Sequence, residues 1–188
     1  MRYNIRLTPR HQDAELTTTP DTVRLTIVDR TSDLEKILEQ RIMVLDGAWG
    51  TLLQSYSLSE EEFRGARFRD HSLDLRGCMD VLVLTQPGIL DEGHRRYLDA
   101  GADILETNTF ISNHFGMLDY GLEDLVYEIN FEAARMARRA ADEYTEKRPD
   151  KPRFVAGVLG PTNKTASVSP DVSDPAYRDV TFTELADA

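Results

Sequence analysis

Three short, mostly apolar segments that stop at polar turns constrain the fold of this chain more than any other feature. They are residues 42–45, 102–107 and 154–159. Apolar residues that run on without interruption and end at a polar turn are typical of buried strands in a parallel sheet. The sequence therefore predicts three parallel strands.

The segments between these strands have the spacing of helices. One helix is predicted over 88–100, with Pro87 before it and Gly101 after it, as is usual at the two helix ends. A longer helix is predicted over about 122–146, while 81–84 is either a strand or a short buried turn. This alternation predicts an α/β fold, namely a partial (β/α)8 TIM barrel, with an open doubly wound sheet as the alternative.

The length of the chain bears on how much of a barrel it can form. An eight-stranded barrel typically needs about 250 residues, and this chain has 188. Residues 181–188 read as the beginning of a helix capped by Thr181 or Thr183. We therefore expect an incomplete barrel that contains only the first few βα units.

Two regions are expected along the chain. Residues 1–31 read as a polar leader, poorly ordered, in which alternation over 23–27 permits one short strand. Residues 32–188 read as the incomplete barrel domain, and its first helix is expected to begin with Ser32 as the cap of a capping box.

Composition limits the classes of function. With 40% hydrophobic and 29% charged residues, the chain suits one globular unit. Its net charge of −11 argues against a nucleic-acid partner. The single cysteine, Cys78, excludes a disulfide framework or a multi-thiolate metal site built from this chain alone. Because no apolar run approaches the ~18 residues of a membrane span and no signal peptide is evident, we expect no membrane partner and a cytoplasmic location.

Polar groups follow each predicted strand, where the loops of parallel α/β folds meet at one mouth. After the first strand, Asp46 can hold a cation, and backbone amides at Gly47 can accept a carboxylate. Together they suit a zwitterion such as an amino acid. The alternative is that Asp46 caps the next helix and Gly47 makes a tight turn.

The second strand ends in the polar stretch 106–110, which contains Thr107, Asn108 and Thr109. Alternation along a strand predicts that Thr107 and Thr109 face one way while Asn108 faces the other. Substrate contact and a buried polar network are both open interpretations. The third strand ends at Gly160, where a long loop to about Pro175 is either functional or disordered.

Five sequence blocks are together more specific than any single pattern: Arg41–Thr51, Phe63–Gly65, Ala100–Phe110, Val155–Thr165 and Val168–Asp171. In this order they resemble the N-terminal homocysteine-binding module of cobalamin-dependent methionine synthase, from about residue 35 to the last residue. Related homocysteine methyltransferases share the Asp-Gly and Glu-Thr-Asn-Thr-Phe elements, whereas Gly-Pro-Thr-Asn-Lys-Thr points to the cobalamin enzyme.

The resemblance implies a methyltransferase reaction. In that family a zinc-bound homocysteine thiolate takes a methyl group from methylcobalamin, which 5-methyltetrahydrofolate then recharges, and the product is methionine. The implied cofactors are therefore zinc and methylcobalamin. The implied partners are homocysteine and the downstream folate-, cobalamin- and activation modules of the same polypeptide.

The resemblance also assigns roles by position. Asp46 would hold the substrate amino group, Gly47 and Ala48 would offer backbone amides to its carboxylate, and Thr107 and Asn108 would line the pocket. No catalytic or metal residue is implied within the chain, because the family's zinc-ligating cysteines are expected beyond Ala188. The sequence departs from the usual family pattern at Ala48 and Trp49, where the family has Gly-Gly followed by methionine or a similar residue. Trp49 would either crowd the mouth or pack under it.

Three other interpretations stay open at this point. The chain could belong to another homocysteine or thiol S-methyltransferase barrel. It could belong to a different barrel enzyme that binds a phosphate or a pterin with the same loops. It could also be a non-catalytic remnant.

If the catalytic zinc is bound beyond Ala188, the 188-residue chain is expected to be inactive by itself. Methionine formation from homocysteine and methylcobalamin measures this, with a polypeptide that includes the cysteine-bearing strands as the positive control. Methionine formed by the purified 188-residue chain would contradict the expectation.

Overall fold

A computed structural model describes residues 30–188. The chain divides into two units, Met1–Gln40 and Arg41–Ala188. In the first unit the described residues form helix α1, Thr31–Gln40. The helix begins one residue before Ser32, so the prediction that Ser32 caps it is wrong, and Ser32 lies in the first turn. The strand predicted over 23–27 lies outside the described residues.

In the second unit, helices pack against a small parallel sheet. The strands are β1, Ile104–Glu106, and β2, Phe154–Ala156. Two 3₁₀ turns cover Met79–Val81 and Glu123–Leu125. The helices are α2, Trp49–Ser55; α3, Glu60–Arg64; α4, Leu82–Thr85; α5, Pro87–Ala100; α6, His114–Leu118; α7, Val126–Lys147; and α8, Phe182–Asp187.

The strands pair in parallel, as the sequence predicts. Along β1 and β2, Ile104 lies opposite Phe154 and Glu106 lies opposite Ala156. On the other edge of β1, Leu45 forms an isolated parallel bridge with Ile104. Three successive segments thus lie side by side in chain order with helices between them. The α/β class is confirmed, and closure into a barrel stays a prediction.

The first predicted strand is wrong in two respects. It pairs with β1 only through the bridge at Leu45, and its side chains are not buried. Ile42 is 88% exposed, and Val44 and Leu45 are also exposed. The physical reason is that burial of a strand depends on which elements cover its faces: α5 and α7 pack on β1, and α7 packs on β2. Apolar periodicity cannot reveal this covering.

The two main helices are placed as predicted, and they cover β1. Helix α5 begins at Pro87 and ends at Ala100. Its C-cap, Gly101, has a left-handed φ of 106°, which suits a C-terminal glycine. Small residues of α7 let it approach the sheet closely, where Ala140 and Ala141 pack with Leu98 and Leu105 in one cluster. The segment 81–84, for which the sequence allowed a strand or a turn, is helical and mostly buried. Val81 ends the first 3₁₀ turn, and the following residues belong to α4.

The last helix is also capped as predicted. Thr181 forms a capping box with Glu184 at the start of α8. No helix within residues 30–188 is both long enough and apolar enough to cross a membrane.

A buried carboxylate ties the first segment to the beginning of β1. Asp103 is fully buried and receives two hydrogen bonds from the Arg41 guanidinium, at 2.7 and 2.8 Å, and one from the Val44 amide at 2.9 Å. Lys151 lies 3.8 Å away. Burial alone would raise the pKa of Asp103, but hydrogen bonds and nearby positive charge outweigh it and lower the pKa below its usual value.

The variant Asp103→Asn is expected to lower the free energy of unfolding near neutral pH by about 2–3 kcal/mol, because buried donors lose their charged acceptor. Since ionised Asp103 is favoured in the folded state, its contribution is present above the unfolded pKa and is lost as the pH falls through the lower folded pKa. The loss caused by the variant should therefore shrink in acid, as chemical denaturation at several pH values would measure. As a control, Asp150→Asn, in an exposed pair with Arg148, should leave stability unchanged, and equal effects of the two variants would contradict the prediction.

Candidate functional site

Asp46 lies at the end of the first segment, beside the end of β1. Its side chain is buried. The Oδ1 atom accepts a hydrogen bond from the Glu106 amide at 2.8 Å, and Oδ2 accepts one from the indole Nε1 of Trp49 at 3.1 Å. Burial raises the pKa of Asp46 to about 6, with the two N–H donors acting in the opposite direction. At neutral pH the group is a desolvated carboxylate that can hold a cation.

Gly47 and Ala48 form the turn between Asp46 and helix α2. Ala48 adopts a left-handed conformation, with φ of 54° and ψ of 31°, and is the N-cap of α2 without any side-chain cap. Asp46 therefore does not cap this helix, and that alternative is wrong. Within the described part of the chain, the backbone amides of Gly47 and Ala48 have no acceptor, so two amide donors directly follow Asp46 in the chain.

Trp49 packs under the turn. Its side chain is buried against α5, with the ring centroid 4.6 Å from that of His94 in an edge-on arrangement and 5.7 Å from that of Tyr97. Of the two placements considered for Trp49, the structure shows packing below Asp46. Packing also accounts for His94, whose burial lowers its pKa to about 4.

Threonine hydroxyls join the end of β1 to the chain beyond β2. The Thr107 hydroxyl accepts a hydrogen bond from the Val158 amide at 2.9 Å and lies 2.8 Å from the Thr109 hydroxyl. Thr109 in turn donates to the Val158 carbonyl at 2.9 Å. Thr107 and Thr109 thus lie on one side, as alternation predicts. These bonds continue the pairing of the two strands beyond Ala156 with side chains in place of the backbone ladder.

Asn108 and Asp80 hold the neighbouring loops. Asn108 is buried and donates from Nδ2 to the Met79 carbonyl at 2.8 Å. Asp80 is also buried, and its Oδ2 accepts from the Ile111 amide at 2.7 Å and from the Ser112 hydroxyl at 2.8 Å. The sequence prediction missed Asp80, whose one local signal is an acid placed directly before the apolar residues 81–84.

The polar network interpretation therefore holds for Thr107 and Asn108, and their contact with a substrate stays a prediction. A cleft of about 460 Å³ opens beside these residues. None of the five predicted site residues, Asp46, Gly47, Ala48, Thr107 and Asn108, lines this cleft. The lining includes Thr109, Ser112, Asn130, Gly160, Thr162 and Leu185.

No metal centre can be built from the described residues. Across residues 30–188, no three side chains among His, Cys, Asp and Glu are arranged to hold a metal ion. Cys78 is fully buried, and burial raises the pKa of its thiol to about 12, so the thiolate form that metals bind is disfavoured. The residues described here do not fit a zinc site.

Comparison with known proteins gives the family. The family model of homocysteine S-methyltransferase matches residues 43–188. The homocysteine methyltransferase MmuM from Escherichia coli has a similar fold: its metallated form is 23% identical with a TM-score of 0.52, and its oxidized form is 24% identical with a TM-score of 0.53. Each match covers 68% of this chain and 41% or 40% of MmuM. The chain thus spans about two fifths of these relatives, and by its family model it belongs to the homocysteine S-methyltransferase family.

Proposed function

We propose that this chain is the part of a homocysteine S-methyltransferase that grips the amino-acid end of homocysteine, while the complete protein transfers a methyl group to the sulfur. The observation that carries the proposal is the environment of Asp46. In a member of this family, a buried carboxylate that has no cationic hydrogen-bond partner among the described residues is followed by two amides without acceptors. An α-amino acid brings the two complementary charges.

Each end of the substrate has a partner in this arrangement. The ammonium group of homocysteine would bind Asp46, whose oxygens keep lone pairs beyond those used by Glu106 and Trp49. The carboxylate would accept hydrogen bonds from the amides of Gly47 and Ala48. Charge-assisted hydrogen bonds of this kind are stronger than neutral ones and fix orientation. Thr107 and Asn108 would line the pocket and keep the strand ends in place.

The finer assignment within the family is cobalamin-dependent methionine synthase. Its support is the set of sequence blocks, above all Gly160–Thr165, because the family model covers homocysteine S-methyltransferases in general. In this proposal the zinc ligands and the methylcobalamin-binding module lie beyond Ala188, together with the folate and activation modules, and the protein works in the cytoplasm.

The alternative is a homocysteine S-methyltransferase with another methyl donor. The family model describes homocysteine S-methyltransferases in general, so it is compatible with either donor. The identity of the methyl donor distinguishes these two assignments. Methylcobalamin should support methionine formation by the full-length protein if it is a cobalamin-dependent methionine synthase, and should fail to do so if the protein uses another donor.

The proposed contact between Asp46 and the ammonium group is tested in the full-length protein by removing each partner in turn. Asp46→Asn should weaken L-homocysteine binding by about 10- to 100-fold, the range expected when a charged hydrogen-bond partner is lost. The same variant should bind 4-mercaptobutyrate, which lacks the ammonium group, as the wild type does. Isothermal titration measures both, and Asp99→Asn on the far end of α5 serves as a control. An equal loss for both ligands would contradict the role of Asp46.

The affinity should also depend on pH in a defined direction. Because only the ionised carboxylate pairs with the ammonium group and the pKa of Asp46 is about 6, homocysteine affinity should fall about tenfold for each pH unit below that value. Above pH 7 the affinity should be nearly constant until the substrate itself titrates. The Asp46→Asn variant should lack the acidic fall, and a fall of equal slope in the variant would assign it to another group.

A further inference from the structure

We propose that Trp49 is a positioning residue that orients the Asp46 carboxylate for its cationic ligand, and that Gly93 in α5 provides the space that the indole ring needs. The inference rests on the proposed function, because it concerns the same carboxylate. Both are positioning residues, because they would act on the ligand through Asp46.

The indole ring bridges Asp46 and helix α5. On its pyrrole side, Nε1 donates to Oδ2 of Asp46 at 3.1 Å. On its benzene side, the ring meets the helix at Gly93, where an added Cβ atom would lie 2.8 Å from both Cη2 and Cζ3. Because the indole is rigid, a displacement at the benzene edge must move the N–H at the other edge.

Gly93 is therefore needed for contact with the ring. Glycine is unfavourable in the interior of a helix, because it loses more conformational freedom than other residues on folding. Its backbone has an ordinary helical conformation here, so no turn requires it. A Cβ atom would also come within 3.1 Å of Leu52. Any side chain at this position would push the ring and loosen the bond to Asp46.

The neighbouring charges make Trp49 important for the ionisation of Asp46. The titratable groups near the carboxylate are Glu106 on β1 and Tyr97 on α5. The charge of Glu106 raises the pKa of Asp46, and the hydrogen bonds to the Asp46 side chain come from Glu106 N–H and Trp49, not from Tyr97. His94 lies on the other side of the ring and is neutral near pH 7, because burial lowers its pKa to about 4. Among side chains in the described residues, the Trp49 indole is thus the group that lowers the pKa of Asp46.

The experiment uses the fluorescence of Trp49, which is the single tryptophan of the 188-residue sequence. The chain is titrated without substrate, and emission is expected to change with a midpoint near pH 6 as the hydrogen-bonded carboxylate ionises. The change should be absent in Asp46→Asn. It should persist in His94→Gln, which controls for quenching by the imidazole ring. The same midpoint in Asp46→Asn would overturn the coupling.

Two glycines of the same helix give a matched pair of variants. Gly93→Ala should raise the midpoint by about half to one pH unit, because a weaker hydrogen bond favours the protonated carboxyl. Gly88→Ala, at a position with nothing within 4 Å of the added Cβ, should leave the midpoint unchanged. If both variants keep the wild-type midpoint, Gly93 has no positioning role and that part of the proposal fails.

A second measurement covers the case in which Gly93→Ala does not fold. In Trp49→Phe, the carboxyl ¹³C signal of Asp46 should titrate about one pH unit higher than in the wild type, and an unchanged titration would overturn the role of Trp49. Homocysteine binding is measured separately. If Trp49 fluorescence follows the ionisation of Asp46 but homocysteine does not bind, the substrate assignment alone is overturned. If homocysteine binding depends on Asp46 but Trp49 fluorescence does not follow its ionisation, the positioning proposal alone is overturned.

Discussion

Two aspartates hold the first segment of the sheet against β1, and the rest of the site depends on that attachment. The backbone ladder here is short, with one parallel bridge at Leu45. At one end Asp103 binds the Val44 amide and the Arg41 guanidinium, and at the other end Asp46 binds the Glu106 amide. Side-chain carboxylates thus supply hydrogen bonds that a longer strand would make with its backbone.

The same residue type meets opposite electrostatic conditions at the two ends. Asp103 is surrounded by Arg41 and Lys151, so its pKa is lowered despite burial. Asp46 has only N–H dipoles as partners, so burial dominates and raises its pKa. A buried carboxylate without a cation is costly to ionise and gains most from a ligand that brings one. Asp103 therefore suits a structural role, and Asp46 suits binding. A buried carboxylate that lowers stability, as Asp46 does, is typical of functional sites.

Trp49 links this carboxylate to the helical layer. The ring packs with His94 and Tyr97 of α5 and reaches the helix backbone at Gly93. On the other side of β1, the hydroxyls of Thr107 and Thr109 form hydrogen bonds with the backbone of Val158. Side-chain hydrogen bonds thus connect the end of β1 to the segments on both sides of it.

The sequence by itself determined the features that depend on neighbouring residues. Apolar runs and end signals predicted β1, β2, α5 with Pro87 and Gly101, and the capping box at Thr181, because these depend on local backbone conformation. Only the tertiary structure decided that Ile42 is exposed, that residues 81–84 are helical, and that Asp80 holds the loop after β1. The contact between Trp49 and Gly93 is of the same kind. Such features arise between residues far apart in the chain, where burial and hydrogen bonding depend on which elements meet and no local pattern records the encounter.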